Sequence, residues 1–122
     1  MADKLLIVLS NIALDHADSL LTPLSQAATA AAMEYEVEVV FTGAASRLVG
    51  KKNSQIIVTN EAQPRSVLQL VRDARKAGVV FKVCSPELNA QEQDLIDEIS
   101  ETVGGAYVIT EAMDDSVVTF TY

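Results

Sequence analysis

The sequence is poor in the residue types that most often carry chemistry. Its 122 residues include one cysteine, Cys84, and one histidine, His16, and they contain no CxxC motif and no zinc-ligand spacing. A single cysteine cannot form a disulfide within the chain, which excludes a disulfide framework and a dithiol redox cycle inside one subunit. A solitary reduced cysteine is typical of cytoplasmic proteins, so we expect that localisation, and we expect neither a metal ion nor a cofactor.

Basic residues and long apolar runs are also scarce. Nine Lys and Arg residues stand against seventeen Asp and Glu residues, for a net charge of −8. Binding of nucleic acid needs clustered cations, so this balance predicts no nucleic-acid partner. No apolar run is long enough to span a membrane, and we expect no membrane partner. The N-terminus faintly resembles a signal peptide, but its short apolar run at residues 5–9 favours a buried strand.

What the sequence does contain is an alternation of short apolar runs with helical patterns. Hydrophobic residues make up 49% of the chain, with only 5% aromatic, so small aliphatic side chains must fill the core. Strands are predicted at residues 5–9, 36–41, 56–59, 79–83, 106–109 and 116–122. The alternation predicts an α/β fold for residues 1–122: a single-domain, doubly wound, mostly parallel sheet of about five strands with helices on both faces.

Capping signals predict where the helices between these strands begin. Thr22 suits an N-cap with Pro23 at the first helical position, and Pro64 is predicted to open the second long helix. Asn89 and Glu92 have capping-box spacing and predict a third helix, which would end at two glycines, Gly104 and Gly105. Its predicted buried face carries Leu95, Ile96, Ile99 and Val103. Short helical turns are predicted at residues 15–21 and 44–49.

Cys84 is the strongest candidate for chemistry, because it follows the predicted strand at residues 79–83. Ser85 and Pro86 then stop the strand, and a helix is predicted a few residues later. In open α/β sheets, ligands gather at the carboxyl ends of the strands. Helix N–H groups there would favour the thiolate, which is the nucleophilic form of cysteine. Free cysteine is also among the most buried residue types, so a packing role is an equal alternative.

Other candidates are weaker. Thr42 and Gly43 follow the second strand and could present backbone N–H groups to an anion, although an ordinary turn explains them more simply. His16 follows Asp15, but adjacent residues on a helix do not face each other, which favours at most a pocket-lining role. The acidic residues between 92 and 101 are interpreted as the solvated face of the third helix, with no metal-ligand pattern.

The order and spacing of these segments resemble the DsrE/DsrF-like family, small α/β proteins of intracellular sulfur metabolism. The resemblance rests on "LLIVLS", on "EVEVVF" running into "FTG", on "VLQLVRDARKAGVVFKVCSPEL" and on "VGGAYVITEAMDDSVVTFTY". It implies a doubly wound fold and a homo-oligomer, commonly a trimer or hexamer, with the cysteine near a pocket at subunit contacts. In sulfur-relay members the cysteine at this strand end carries sulfur as a persulfide, a role that maps onto Cys84.

The resulting hypothesis is a sulfur carrier or sulfurtransferase that takes sulfur from a donor protein onto Cys84 and passes it to a thiol of an acceptor protein. The candidate pocket and anion-binding residues are Ser85, Glu87, Leu88, Thr42, Gly43 and His16. The alternative is a non-enzymatic homo-oligomeric module that binds a ligand or a partner, with Cys84 structural. Peroxide reduction through Cys84 would need a resolving thiol from elsewhere.

Overall fold

The main sheet is parallel and has five strands in the described part of the chain. A computed structural model describes residues 3–58, 63–84 and 94–122. The strands of this sheet are β1 Lys4–Leu9, β2 Glu36–Thr42, β5 Val80–Cys84, β6 Ile99–Thr102 and β7 Val117–Thr121. Their spatial order is β6-β5-β2-β1-β7, and every neighbouring pair is parallel. The predicted α/β class with a parallel sheet of about five strands is confirmed.

Three α-helices and a small hairpin complete the described structure. The α-helices are α1 Leu21–Ala32, α2 Val67–Lys76 and α3 Gly105–Ala112. The hairpin pairs β3, Ile57–Val58, with β4, Arg65–Ser66, in antiparallel fashion. Shorter 3-10 segments lie at Leu14–Leu20, Gly43–Val49 and Asn53–Gln55. None of the helices in these described ranges is long and apolar enough to cross a membrane.

One face of the sheet carries most of the hydrophobic core. Alternate residues of the strands, such as Ile7, Val39 and Phe81, point to this face and are almost completely buried. The helices α1 and α2 cover them with Leu24 and Val71 among other buried side chains. We call this the helix-pair face. The connections from β1 to β2 and from β2 to β5 step across the sheet in the same direction. Because crossovers between parallel strands are right-handed, both connections pass over this same face.

The opposite face is covered by α3, and we call it the α3 face. Its small apolar cluster contains Leu6, Val40 and Cys84, with Val108 of α3 packed against them. The chain crosses from β6 at one edge to β7 at the other through α3, which reverses the direction of winding. Helices therefore lie on both faces, as the doubly wound prediction requires.

The helix α2 begins three residues later than its proline suggests. Ser66 is the N-cap: its Oγ accepts a hydrogen bond from the Gln69 backbone N–H at 3.1 Å, and the Gln69 side chain accepts from the Ser66 N–H at 2.9 Å. This reciprocal capping box fixes the start of the helix. The prediction that Pro64 opens α2 is wrong, because Arg65 and Ser66 first pair with β3.

The predicted cap of α1 is also wrong. The helix begins at Leu21, directly after the 3-10 segment Leu14–Leu20, and its N-cap residue is Leu20 without a side-chain cap. Thr22 is therefore already helical, and Pro23 lies buried in the first turn. A preceding helical turn can supply the geometry that a capping side chain would otherwise impose, which is why the Thr-Pro signal is displaced by two residues.

Residues 99–112 reverse the predicted order of helix and strand. Ile99–Thr102 forms the edge strand β6, where a helical face was predicted. Gly104 and Gly105 start α3 and do not end a helix, so residues 106–109 are helical and not a strand. Short apolar runs fit both periodicities, and pairing of Ile99 with Phe81 decided between them. The predicted caps Asn89 and Glu92 lie outside the described residues.

The two cap sites provide a matched test of these helix starts. Ser66→Ala should lower the free energy of unfolding by about 1 kcal/mol, since it removes a capping side chain. Thr22→Ala should change it by less than about 0.5 kcal/mol, as expected for an exposed helical position without a capping bond. Urea unfolding followed by circular dichroism measures both. Equal losses for the two variants would contradict the assignment of Ser66 as the cap.

Candidate functional site

The carboxyl ends of β2 and β5 bring several candidate residues together. Thr42, the last residue of β2, lies directly opposite Cys84, the last residue of β5. Gly43 follows with a positive φ of 54°, and a Cβ atom at this position would lie 3.1 Å from the Ser10 carbonyl oxygen. Only glycine combines that backbone conformation with so close an approach. The predicted turn at Gly43 is thus part of the edge at which Cys84 sits.

Cys84 itself is held among apolar side chains on the α3 face. It is 6% exposed and forms a cluster with Leu6 and Val40. Val103 and Val108 pack against this cluster from the segment that leads into and through α3. The thiol is therefore a buried group at the carboxyl-end edge of the sheet, where open α/β folds usually bind ligands, and it must become accessible before it can react.

A helix start does lie beside Cys84, but it belongs to α3. The Val103 N–H donates to the carbonyl of Val83 at 2.8 Å, which places the approach to α3 next to the end of β5. Gly104 is the N-cap and has no capping side chain. The first N–H groups of a helix carry a partial positive charge that favours anions. These N–H groups belong to α3, whose residues 106–109 had been predicted from the sequence as a strand.

The other predicted site residues are not drawn to Cys84 by any described contact. His16 is exposed within the 3-10 segment after β1, and its backbone N–H donates to the Ala13 carbonyl at 3.0 Å. Ser85, Glu87 and Leu88 lie outside the described residues. Cys84, Thr42 and Gly43 are thus the three candidates that the described structure places at one edge.

A network of charged side chains lies under α3, toward the amino ends of the strands. Glu38 in the middle of β2 is 4% exposed and accepts a hydrogen bond from Lys4 at 2.8 Å. The Tyr107 hydroxyl of α3 lies 2.7 and 2.9 Å from the two Glu38 oxygens, and Lys82 donates to that hydroxyl at 2.7 Å. Lys4 also pairs with Glu111 of α3. We call Lys4, Glu38, Lys82, Tyr107 and Glu111 the α3 network.

The α3 network favours the charged forms of Glu38, Lys4 and Lys82. Burial raises the pKa of Glu38, but hydrogen bonds from Lys4 and Tyr107 and the charges of Lys4 and Lys82 outweigh burial and leave it below the usual 4.5. For Lys4 and Lys82, burial acts in the opposite direction and lowers the pKa. Their hydrogen bonds to carboxylates and to Tyr107 outweigh burial and raise the pKa of each lysine above the usual 10.5. Burial also raises the pKa of Tyr107, so its hydroxyl stays protonated at neutral pH.

Two residues of this network were visible in the sequence as charges inside apolar strands. Glu38 stands in "EVEVVF" and Lys82 in "VFKVC". A charge in a strand buried on both faces needs a partner, because an unpaired buried charge is costly. Their opposite signs on neighbouring strands were a usable signal. Tyr107 could not be found in this way, because its segment was predicted as a strand.

The acidic residues between 94 and 101 do not form the solvated face of a helix. Glu98 accepts a hydrogen bond from Arg72 of α2 at 2.7 Å, and Glu101 on β6 lies 2.9 Å from Lys82. Hydrogen bonding to Arg72 is the main cause that lowers the pKa of Glu98. Within residues 3–58, 63–84 and 94–122, no three His, Cys, Asp or Glu side chains converge as a metal site would require.

An apolar groove of about 420 Å³ lies on the helix-pair face, between α1 and β7. Four exposed apolar side chains line it: Met33, Tyr35, Val118 and Phe120. The strand β7 is the last of the described sheet, so its outer backbone edge has no described strand beside it. Its sequence, VVTFT, contains no charge and no proline. Such edges are usually protected or paired.

These features define a small doubly wound α/β protein with a cysteine at the carboxyl end of a central strand. The chain belongs to the DsrE/DsrF-like family, whose sequence model matches residues 3–121. The family is associated with sulfur relay in general. The fold is similar to that of the YchN protein from E. coli, with a TM-score of 0.61, 16% identity, and coverage of 98% of this chain and 100% of that one. No curated protein matched.

The buried carboxylate of the α3 network can be tested by Glu38→Gln, which keeps the size and removes the charge. This variant leaves Lys4 and Lys82 without their shared counter-ion, so we expect the free energy of unfolding at pH 7 to fall by about 3 kcal/mol. Asp73→Asn is the control, because it breaks the exposed Arg65–Asp73 pair and should cost less than about 1 kcal/mol. Similar losses in urea unfolding would contradict the network's importance.

Comparison of the wild type with Glu38→Gln also gives a prediction for the dependence of stability on pH. The folded-state pKa of Glu38 is depressed, so its stabilising effect is present above 4.5 and is lost as the pH falls through the folded value. Between pH 5 and pH 3, about two pH units around the usual carboxylate pKa, the wild type should therefore lose more stability than Glu38→Gln. Parallel curves for the two proteins would show that Glu38 does not carry this dependence.

Proposed function

We propose that this protein is a cytoplasmic sulfur carrier, or sulfurtransferase, that holds sulfur as a persulfide on Cys84. Membership of the DsrE/DsrF-like family supports sulfur relay as the general class of function. The observation that carries the specific proposal is the position of the only cysteine, at the carboxyl end of β5 and beside the start of α3. Ligand-binding groups in open α/β sheets gather at this edge.

The proposed chemistry has two balanced displacement steps. The Cys84 thiolate attacks the terminal sulfur of a persulfide on a donor protein, a new S–S bond forms on Cys84, and the donor leaves as a thiolate. A thiolate of the acceptor protein then attacks the outer sulfur on Cys84, and Cys84 leaves as a thiolate. One sulfur atom moves in each step and no external oxidant or reductant is needed, so a single cysteine suffices.

The surroundings of Cys84 suit an anionic sulfur. The N–H groups at the first turn of α3 and the backbone after Thr42 and Gly43 are proposed to face the persulfide, since α3 begins beside the end of β5 and Gly43 follows the end of β2. Ser85, Glu87 and Leu88 are proposed to contribute from the segment that follows Cys84. His16 is retained only as a pocket-lining candidate, because the described contacts assign it no partner at the thiol.

Intact-mass analysis tests the carrier proposal directly. The protein is incubated with glutathione persulfide under native conditions, and the wild type should gain one sulfur atom that dithiothreitol removes. Cys84→Ser is the matched control and should gain none. A second incubation with a thiol peptide should return the wild type to its original mass. An unmodified wild-type thiol at several pH values would refute the proposal.

The second candidate is a non-enzymatic module in which Cys84 only packs. The observation that favours it is the burial of the thiol beside Leu6 and Val40. In this case Cys84→Ala or Cys84→Val should leave partner or ligand binding intact, whereas the carrier proposal requires the thiol itself. Loss of sulfur transfer in Cys84→Val, with unchanged circular dichroism, would show that Cys84 does more than pack against its neighbours.

We also propose that copies of this chain assemble, as a trimer or hexamer, and that β7 with the adjacent groove forms one contact between them. The occupant of the groove is a second copy. The uncharged outer edge of β7 offers alternating donors and acceptors, and two such edges match each other across a two-fold axis. A hexamer of two trimers contains such an axis and a single trimer does not, so this contact would join the two trimers of a hexamer. Val118 and Phe120 would then be covered together with Met33 and Tyr35.

Light scattering coupled to size-exclusion chromatography tests this contact. Phe120→Lys places a charge in the groove and should reduce the particle mass to that of a smaller assembly or a monomer. Thr110→Lys, at an exposed position of α3, is the control and should leave the mass unchanged. A wild-type protein that is monomeric, or a Phe120→Lys variant with the wild-type mass, would contradict the proposed contact.

A further inference from the structure

The burial of Cys84 raises the question of how a donor protein reaches the thiol. Cys84 is 6% exposed and faces the same side of the sheet as α3. Val108 of α3 and Val103 just before it pack against the cluster that contains Cys84. A displacement at sulfur needs a clear approach to the thiolate, so a group packed against this cluster must move before the reaction.

The helix α3 is attached differently from the other helices. Leu24 and Ala27 of α1 and Leu70 and Val71 of α2 are buried anchors in the main core. In contrast, α3 has no fully buried residue. Its inward side chains Tyr107, Val108 and Glu111 are only partly buried, so α3 lacks the apolar anchoring of α1 and α2.

Polar contacts take the place of that anchoring. The Tyr107 hydroxyl donates to Glu38 at 2.7 Å and accepts from Lys82 at 2.7 Å, and the Lys82 Nζ lies 4.5 Å from the centre of the Tyr107 ring. One turn further along, Glu111 pairs with Lys4. Both contacts reach from α3 to central strands of the sheet. Such contacts are directional, and they are lost together once the helix moves away.

The backbone at the start of α3 has little steric restriction. Gly104 and Gly105 are adjacent, and a Cβ atom on either would meet no heavy atom within 4 Å. Two glycines in open space form a natural hinge, because neither side chains nor packing restrict their dihedral angles. At the other end, Asp114 accepts hydrogen bonds from the Ser116 N–H and hydroxyl at 2.8 and 2.7 Å, which order the short turn between α3 and β7.

We propose that α3 is a hinged cover over the Cys84 thiol, which opens at Gly104 and Gly105 and is held closed by the Tyr107 hydroxyl between Glu38 and Lys82. In the closed state the thiol is protected from oxidation and from wrong acceptors. In the open state it is available to the donor and the acceptor. The role given to this cover depends on the proposed sulfur-carrier function. Whether α3 covers the thiol does not depend on that function, because it is tested by access to the thiol alone.

Native-state alkylation of Cys84 by iodoacetamide measures that access. Tyr107→Phe removes only the hydroxyl and should increase the alkylation rate about tenfold, in keeping with hydrogen bonds to charged groups. Tyr122→Phe is the matched control: it also removes one tyrosine hydroxyl, which contacts Gln26 on α1, and should leave the rate unchanged. Gly105→Ala restricts the hinge without a clash and should slow alkylation about two- to fivefold.

Hydrogen exchange by mass spectrometry separates opening of α3 from general unfolding. In Tyr107→Phe, the amides of α3 should exchange faster while those of β1 and β2 keep their wild-type protection. Equal alkylation rates in wild type and Tyr107→Phe would overturn the proposal. So would faster alkylation accompanied by loss of protection in β1 and β2, or an unchanged rate in Gly105→Ala. No sulfur donor is used, so failure of the carrier function would leave these results unaffected.

Discussion

The structure depends on one constraint above all: β2 is buried on both faces and hydrogen-bonded along both edges. Parallel pairing with β1 and β5 aligns the carboxyl ends of the three strands. That alignment places Thr42 opposite Cys84 and brings Gly43 against Ser10. Because side chains alternate along a strand, the same pairing turns Phe41 to the main core and Glu38 to the other side. The candidate site and the charged network are thus two consequences of one register.

The two faces of this sheet are built by different physical means. The helix-pair face is held by apolar burial, which is non-directional and tolerates small movements. The α3 face combines a small apolar cluster with a charged network, whose energy depends on specific distances. A helix held mainly by such contacts can separate from the sheet without exposing the main core. Under the proposed opening of α3, this difference would let a cysteine that is buried on one face of the sheet be reached without loss of the main core.

The sequence interpretation succeeded where local patterns and packing agree, and failed where they compete. The runs that became β1, β2 and β5 are long, apolar and bounded by turn residues, so their assignment depends little on context. The segment 99–112 is different, because its apolar runs are short and fit either periodicity. Gly104 was interpreted as a helix end, since glycine is frequent there, but it precedes α3. Pro64 similarly pointed to a helix start, whereas the capping box of Ser66 fixes the start three residues later, at Val67.

By itself the sequence determined the α/β class, the parallel sheet, and the position of a lone cysteine after a buried strand. These follow from hydrophobic periodicity and turn chemistry, which act over short stretches of chain. Only the tertiary structure decided that Cys84 is buried on the α3 face, that α3 begins beside it, and that Tyr107 meets Glu38 and Lys82. Those contacts join residues from distant parts of the chain, so strand order and packing, and not local preference, determine them.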